Sequence, residues 1–197
     1  MHTNNIITVT EGVVLAAGMS SRMGTDKLDL SIKGKKILEL CIESMYDFCS
    51  RIIVVGGCNY DNTKITVKPY NKVCLIKNQN YKDGMMSSVL LAISHLEGDR
   101  FLLVPGDYPL VSKETYKKLF LCEGKIIVPT FCGKCGHPIL MNSKVAKDLL
   151  NNTSYTTLRE YIYSIGFETV QTEDPGILMD VDTPEDYYNI LKAVSVE

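Results

Sequence analysis

The chain has 197 residues, of which 45% are hydrophobic, and carries a formal net charge of −2 at pH 7. This length and apolar content predict one globular domain over residues 1–197 with a sizeable core. The nearly balanced charge excludes an overall basic field of the kind that draws proteins onto nucleic acid or an anionic membrane, so we expect a small-molecule partner and neither of those two.

Strands and helices alternate along the first two thirds of the chain. Helical spacing of apolar residues predicts two helices, whose buried faces run from Ile37 to Cys49 and from Met86 to Leu96. Short β-branched runs bounded by glycine or proline predict buried strands at residues 12–17, 51–57, 72–77, 100–106 and 124–129. The alternation predicts an α/β protein with three layers, in which helices cover both faces of a mostly parallel sheet.

The last third of the chain has a less regular pattern. It predicts a strand at 137–141, helices near 143–150 and 156–164, and strands near 167–171 and 177–181. A final helix is predicted to begin at TPED, residues 183–186. Threonine is a good helix cap, proline suits the first helical position, and the two acidic residues favour the positive end of the helix dipole.

The segment LAAGMSSRMGTDK, residues 15–27, follows the first predicted strand. Its glycine and serine residues predict a turn that exposes backbone N–H groups and hydroxyls at the carboxyl edge of the sheet, where open α/β folds bind ligands. Arg22 and Lys27 add a planar guanidinium and a point charge, both suited to the oxygens of a triphosphate. The glycine spacing excludes the G-x-G-x-x-G dinucleotide loop, and no G-x-x-x-x-G-K-S/T motif occurs.

Two further segments bring carboxylates toward the same edge. In VPGDYPL, residues 104–110, an apolar strand runs directly into Asp107, and in MDVDTPED, residues 179–186, Asp180 and Asp182 share one side of an extended chain. Each carboxylate alone is typical of a turn or of a helix start. Together with the basic loop they predict a Mg²⁺ site, because this ion binds one or two carboxylates plus substrate phosphates.

Five motifs follow one another along the chain: LAAGMSSRMGTDK, DGMMSSV, PGDYPLV, GHPIL and DVDTPEDY. They resemble the motif set of the nucleotidyltransferase family that includes molybdenum-cofactor cytidylyltransferase and guanylyltransferase, from residue 12 to the final helix. The resemblance implies a Rossmann-like domain of the glycosyltransferase-A type. It also implies Mg²⁺-dependent transfer of a nucleoside monophosphate from a nucleoside triphosphate to a phosphate-bearing acceptor such as molybdopterin, with release of pyrophosphate.

The resemblance further implies roles for individual residues. Arg22 and Lys27 would contact the triphosphate, Asp107 and Asp182 would be the metal ligands, and these four would be the catalytic residues. Asp180 would support the metal ligands, and the acceptor would face His137. The nucleotide would be bound by Leu15, Ala16, Ala17, Gly18, Asn78, Gly84 and Ser88.

The resemblance favours CTP over GTP as the nucleotide. The loop reads LAAG, whereas guanylyl-transferring relatives usually carry a second glycine, as LAGG. Two departures from the family pattern concern the acceptor: Tyr108 stands where Gln or Met is frequent, and CGKCGHP carries cysteines where other polar residues are usual. A sugar-1-phosphate or other cofactor nucleotidyltransferase, which shares the fold and the metal chemistry, is the alternative.

The seven cysteines form an odd set, and several lie in apolar runs such as KVCLI, which is typical of reduced core thiols and of a cytoplasmic protein. The first residues show no secretory pattern, and no segment approaches the roughly 18 apolar residues of a membrane span. Cys132 and Cys135 form a C-x-x-C near His137, so a zinc-binding or redox module is a second class of function. No second C-x-x-C follows, and we favour two loop thiols.

Overall fold

The computed structural model describes residues 9–152 and 154–195. Strands in this part of the chain form one large sheet and one small hairpin. In chain order they are β1 (Thr10–Ala16), β2 (Ser31–Ile32), β3 (Lys35–Lys36), β4 (Ile52–Gly56), β5 (Val73–Lys77), β6 (Arg100–Pro105), β7 (Ile126–Phe131), β8 (Lys134–Cys135), β9 (Ile139–Asn142) and β10 (Glu168–Gln171).

The large sheet has the order β10-β7-β9-β6-β1-β4-β5, with β8 paired to β7. β6, β1, β4 and β5 are parallel neighbours, as are β7 and β10, whereas β9 is antiparallel to both β6 and β7. From β1 the chain adds β4 and β5 on one side and then returns to add β6 on the other. A reversal of this kind opens a crevice at the carboxyl ends of the strands on either side of it.

Helices cover both faces of the sheet, which confirms the predicted three-layer α/β arrangement. They are α1 (Ile37–Tyr46), α2 (Tyr60–Val67), α3 (Met85–Ser94), α4 (Lys113–Phe120), α5 (Ser143–Asp148), α6 (Leu158–Ile165) and α7 (Pro184–Ser195). The core has two parts, one on each face of the sheet. Alternate residues of β1 belong to different parts, because successive side chains of a strand point to opposite faces of the sheet. Val14 and Ala16 pack with α1, α2, α4 and α7, whereas Val13 and Leu15 pack with α3, α5 and α6.

The start of the final helix is capped as predicted. The hydroxyl of Thr183 accepts a hydrogen bond from the N–H of Asp186 at 3.2 Å, and the carboxylate of Asp186 accepts one from the N–H of Thr183 at 2.7 Å. Each side chain thus satisfies a backbone donor that the first helical turn leaves free. The cap fixes the direction in which the chain from Asp182 enters α7.

The strand predicted near 177–181 is wrong. Residues Pro175–Leu178 form a short 3-10 helix, and no strand lies between it and α7. The carboxylate of Asp174 accepts a hydrogen bond from the N–H of Gly176 at 2.9 Å, and proline at the first position favours this turn. Local hydrogen bonds therefore take the place of a strand ladder.

Two helices, α2 and α4, were not predicted from the sequence. The buried side chains of α2 are Thr63, Thr66 and Val67, so an apolar period of 3.6 residues is lacking there. In α4 the buried side chains are Thr115, Tyr116 and Leu119, among four lysine and glutamate residues. None of the helices in the described part of the chain is long and apolar enough to span a membrane.

Candidate active site

The carboxyl ends of β1 and β6 open into a cavity of about 470 Å³, which we name the first cavity. The two strand ends are held together by the N–H of Gly106, which donates to the carbonyl oxygen of Leu15 at 2.9 Å. The cavity therefore lies at the crevice that the strand order predicts. Its lining residues are Leu15, Ala17, Gly18, Met19, Ser20, Ser21, Arg22, Lys27, Leu28, Tyr81, Gly84, Met85, Ser88, Pro105, Asp107, Tyr108, His137, Asp180 and Asp182.

Two hydrogen bonds, one accepted by the side chain of Ser20 and one by that of Asp26, shape the loop after β1. Ser20 has a φ of 48°, in the left-handed region, which turns the chain back on itself. Its Oγ accepts a hydrogen bond from the N–H of Lys27 at 3.3 Å, and the carboxylate of Asp26 accepts one from the N–H of Leu28 at 3.1 Å. These bonds fix the short 3-10 helix Lys27–Asp29, from which the lysine side chain projects.

Lys27 lies between two carboxylates from distant parts of the chain. Its Nζ donates hydrogen bonds to Oδ2 of Asp107 and, at 2.7 Å, to Oδ1 of Asp182. The guanidinium of Arg22 pairs with the other oxygen of Asp182, also at 2.7 Å. The N–H of Val181 donates to the backbone carbonyl of Asp107 at 3.0 Å, which holds the two acidic segments side by side. The structure thus brings together the four residues expected to carry the chemistry.

The two cations of this cluster differ in their exposure to water. The side chain of Lys27 is 13% exposed, whereas that of Arg22 is 68% exposed. Solvent screens the charge of an exposed side chain much more than that of a buried one. We therefore expect Lys27 to interact more strongly than Arg22 with any charge in the cavity.

The charges of the cluster change the acid strengths of its members. Burial alone would lower the pKa of Lys27, but the charges of Asp107 and Asp182 and the hydrogen bonds to both raise it above its usual value. The hydrogen bond from Lys27 lowers the pKa of Asp182. Partial burial, followed by the neighbouring charge of Asp107, raises the pKa of Asp180. The carboxylates therefore repel one another and are held together by cations.

The acidic residues also fit a divalent cation. One carboxylate oxygen from each of Asp107, Asp180 and Asp182 lies within 4.8 Å of the others. Oδ1 of Asp107 is buried and has no hydrogen-bond partner among the described residues. An all-oxygen set of ligands is what Mg²⁺ prefers, and this ion usually keeps several waters besides its one or two carboxylates. The donor set and the unpartnered oxygen are therefore both suited to Mg²⁺.

Most residues expected to bind the nucleotide line the first cavity: Leu15, Ala17, Gly18, Gly84 and Ser88. Ala16 is not among its described lining residues, because it alternates with Leu15 and Ala17 and packs on the opposite face of the sheet. The backbone of this segment borders the cavity, but the side chain of Ala16 belongs to the core under α1.

Asn78 lies behind the cavity wall rather than in it. Its side chain is buried, and its Nδ2 donates to the hydroxyls of Ser87 at 2.9 Å and Ser88 at 2.8 Å. Its Oδ1 accepts a hydrogen bond from the N–H of Asn80 at 2.9 Å. Asn78 therefore orients the first turn of α3, and Ser88 is the member of this network that faces the cavity.

His137 and Tyr108 lie at one end of the first cavity. Their rings meet edge to face, with centroids 4.9 Å apart. Burial lowers the pKa of His137 to about 4, so its imidazole is uncharged at neutral pH. The N–H of His137 donates to the carbonyl oxygen of Ile177 at 3.0 Å, which ties this end of the cavity to the 3-10 helix before α7.

Sequence reasoning missed a second cavity, of about 320 Å³, that adjoins the first. Residues of two helices and five strands contribute to it, namely α3, α6, β1, β6, β7, β8 and β9, and no motif marks a space formed by so many separate elements. It also missed Tyr81 and Met85 of the first cavity. Both stand within NQNYKDGMMSSV beside Gly84, so that segment was the available signal. Residues that line both cavities are Leu15, Met85, Pro105, Tyr108 and His137.

Cys132 and Cys135 lie on the hairpin that joins β7 to β8 and are exposed free thiols. Cys132 and Gly133 have φ angles of 48° and 76° and form the tight turn. Among residues 9–152 and 154–195, one group of three acidic, histidine or cysteine side chains is close enough to share an ion, and it is the acidic group of the first cavity. Among the described residues, the hairpin thus has no third side chain close enough to bind zinc together with these two thiols.

Comparison with known proteins relates the chain to nucleotidyltransferases. Residues 12–170 match the model of the MobA-like NTP transferase domain. The chain is 30% identical to the molybdenum cofactor cytidylyltransferase of Escherichia coli over 176 residues, which cover 89% of this chain and 92% of that protein. It is also 30% identical to a probable molybdenum cofactor guanylyltransferase of Natranaerobius thermophilus, over 61% of this chain and 60% of that protein.

Solved structures show the same fold. A nucleotidyl transferase from Methanothermobacter superposes with a TM-score of 0.84 at 19% identity, over 96% of this chain and 99% of that one.

Proposed function

The chain belongs to the MobA-like NTP transferase family and is a nucleotidyltransferase, and we propose that it transfers CMP from CTP to the phosphate group of molybdopterin or a molybdenum cofactor. The products of this reaction are the cytidylylated acceptor and pyrophosphate. The proposal includes one catalytic domain over residues 1–197. It also includes the roles given above to the residues that line the first cavity.

One observation carries the proposal: two cations and three carboxylates, contributed by three separate segments, meet in a single cavity at the carboxyl ends of β1 and β6. Cations suit the phosphates of a nucleotide, and the carboxylates suit the divalent ion that accompanies it. A purely structural ion-pair cluster would have no need for an adjoining cavity of about 470 Å³.

The chemistry needs little from the protein besides position and charge. An oxygen of the acceptor phosphate attacks the α-phosphorus of CTP, a new P–O bond forms, and the bond from the α-phosphorus to the bridging oxygen breaks. The electron pair leaves with pyrophosphate. A phosphate monoester has its second pKa near about 6 and is already largely ionised at neutral pH, so no strong general base is required.

Lys27 and Arg22 would neutralise negative charge that grows on the triphosphate oxygens as pyrophosphate departs. In the free protein both cations are paired with carboxylates of the cavity, and they would turn from these to the triphosphate oxygens when nucleotide and metal bind. Asp107 and Asp182 would hold Mg²⁺, with Asp180 beside them. When bound, this ion supplies Lewis-acid stabilisation of charge on the phosphate oxygens.

Nucleotide binding tests the proposal directly. With Mg²⁺ in excess, CTP at about 100 times its Kd should stabilise the folded protein by about 2.7 kcal/mol. For a domain of this size we expect a rise in Tm of roughly 5–10 °C. GTP, ATP and UTP at the same concentration should give smaller shifts. Equal shifts with all four nucleotides would contradict the choice of CTP, and no shift with any would contradict the function.

Ala17 provides a test of base selection. A methyl group added at Gly57 would meet Cβ of Ala17 at 2.7 Å, so this side chain fills the space between the ends of β1 and β4 beside the cavity. We expect Ala17→Gly to reduce the preference for CTP over GTP, as a ratio of kcat/KM values, by about tenfold to a hundredfold. The measure must be this ratio, because glycine also costs roughly 0.5–1 kcal/mol of stability.

Ala193→Gly, at an exposed residue of α7 that lines neither cavity, serves as the control for the loss of one methyl group. Its effect on the ratio should be smaller than that of Ala17→Gly. A ratio that Ala17→Gly leaves unchanged would assign base selection to other residues, of which those around Gly84 and Ser88 are the nearest candidates.

A further inference from the structure

The second cavity differs in chemistry from the first. Its walls are formed mainly by apolar side chains, among them Val89, Leu103, Val128, Ile139, Ile162 and Phe167. Among the described residues that line it there is no carboxylate and a single charged group, Arg159. A sugar brings several hydroxyl groups that each need a hydrogen-bond partner, and this cavity offers few. Its walls suit a flat ring with apolar faces.

The two cavities adjoin each other and share five lining residues. Tyr108 and His137 belong to both, and their edge-to-face rings stand between the acidic cluster and the apolar walls. A molecule in the second cavity would therefore lie next to the cavity that contains Lys27 and Asp107. Because the imidazole of His137 is uncharged at neutral pH, this passage adds no charge of its own.

Arg159 lies on α6 at the edge of the second cavity that is not shared with the first. Its guanidinium carbon lies 5.6 Å from the centre of the Tyr163 ring, one helical turn along, and Tyr163 in turn meets Phe167 edge to face at 5.3 Å. No ion pair within residues 9–152 and 154–195 includes Arg159. Its five N–H donors are thus oriented by an aromatic ring and are not used by a carboxylate.

We propose that the second cavity binds the flat ring system of the acceptor, and that Arg159 donates hydrogen bonds to an electron-rich group on the outer edge of that ring. The phosphate of the same molecule then extends past Tyr108 and His137 to the position beside Lys27. This inference rests on the proposed function and makes Arg159 a residue that selects the acceptor. The inference also predicts that the second cavity accepts a heterocyclic acceptor and not a sugar phosphate.

The first test compares Arg159→Gln and Arg159→Lys in the transfer reaction with molybdopterin and CTP. Loss of charged hydrogen bonds should raise the KM for molybdopterin by about tenfold to a hundredfold in Arg159→Gln, with kcat and the KM for CTP unchanged. Arg159→Lys should recover part of the loss. Lys147→Gln, an exposed cation of α5 that lines neither cavity, is the matched control and should behave as wild type.

The second test observes the cavity without turnover. The chain has no tryptophan, so Tyr163→Trp places a single fluorescent reporter at the cavity edge. Pterin should quench its emission saturably, Arg159→Gln should weaken this binding by about tenfold, and glucose 1-phosphate should not compete.

These outcomes distinguish the inference from the function on which it rests. Transfer activity with an unchanged molybdopterin KM in Arg159→Gln would overturn the inference and leave the proposed function intact. Competition by glucose 1-phosphate at the reporter would also overturn the inference, and it would favour a sugar phosphate in place of molybdopterin as the acceptor. Absence of CTP binding and of transfer in the wild-type protein would refute the proposed function itself.

Discussion

Replacing Asp107 with alanine is expected to lower the rate of nucleotidyl transfer by about 10³-fold or more, because a metal ligand supplies several kcal/mol of charge stabilisation and each 1.36 kcal/mol is a factor of ten. Oδ2 of this residue pairs with Lys27, and its Oδ1 is the buried oxygen that no described group contacts. The change thus removes both a contact of the lysine and the proposed metal ligand. We expect Asp182→Ala to have an effect of the same order, since this residue pairs with both Lys27 and Arg22.

The rate of pyrophosphate release at saturating CTP and Mg²⁺ measures this loss, and Mn²⁺ titration followed by electron paramagnetic resonance measures the metal site independently of activity. Asp107→Asn keeps the size of the side chain but not its charge, and should lose most of the activity. Asp61→Ala removes an exposed carboxylate of α2 that lines neither cavity and should leave both measurements unchanged. Full activity in a folded Asp107→Ala protein would remove Asp107 from the metal site.

The place of Asp107 in this site could be predicted from the sequence, and the reason is geometric. An apolar run that ends in PGD places its carboxylate at the end of a buried strand, and the ends of parallel strands meet at one edge of the sheet. The same argument locates the loop after β1. Asp182 could be placed because TPED is a strong helix start, which the hydrogen bonds between Thr183 and Asp186 confirm.

Other features depend on contacts between residues far apart in the chain, and sequence patterns could not predict them. The position of Lys27 between Asp107 and Asp182 joins residues 80 and 155 positions apart in the chain. Asn78 was expected at the nucleotide, but its amide is used in the serine network that starts α3. Arg159 lies on α6, and the amphipathic pattern of this helix predicts which of its side chains are buried. The pattern does not predict that α6 also borders the second cavity.

The segment near 177–181 shows a limit of the pattern itself. Its apolar residues Ile177 and Val181 are buried and resemble a short strand. The aspartate and proline before them, however, start a 3-10 helix, and hydrogen bonds from the backbone of His137 and to that of Asp107 then dock the segment against the cavity. Burial without strand pairing is what places Asp180 and Asp182 at the site.

Lys27→Met is expected to lower turnover at saturating CTP by about 10²-fold or more, because it removes an oriented cation from a position where negative charge develops. Methionine keeps most of the volume of the side chain, which is only 13% exposed, so the loss reports the charge and its hydrogen bonds rather than a cavity. Arg22→Ala should also lower turnover, by a smaller factor, since its guanidinium is 68% exposed and is screened by water.

The same substitution should act in the opposite direction on metal binding without nucleotide. In the unliganded protein the ammonium of Lys27 occupies the space between Asp107 and Asp182, so it competes with a divalent ion for their oxygens. Once it is removed, three carboxylates within 4.8 Å of one another are compensated only by the exposed Arg22, and the affinity for Mn²⁺ should rise by about tenfold. Lys64→Met, an exposed cation of α2, should change neither turnover nor Mn²⁺ affinity. If Lys27 were needed only for folding, its substitution would lower turnover and Mn²⁺ affinity together. If Lys27 moves from the carboxylates to the triphosphate, its substitution lowers turnover and raises Mn²⁺ affinity. The pair of opposite changes is therefore the signature of an exchange of partners by Lys27 when nucleotide and metal enter the site.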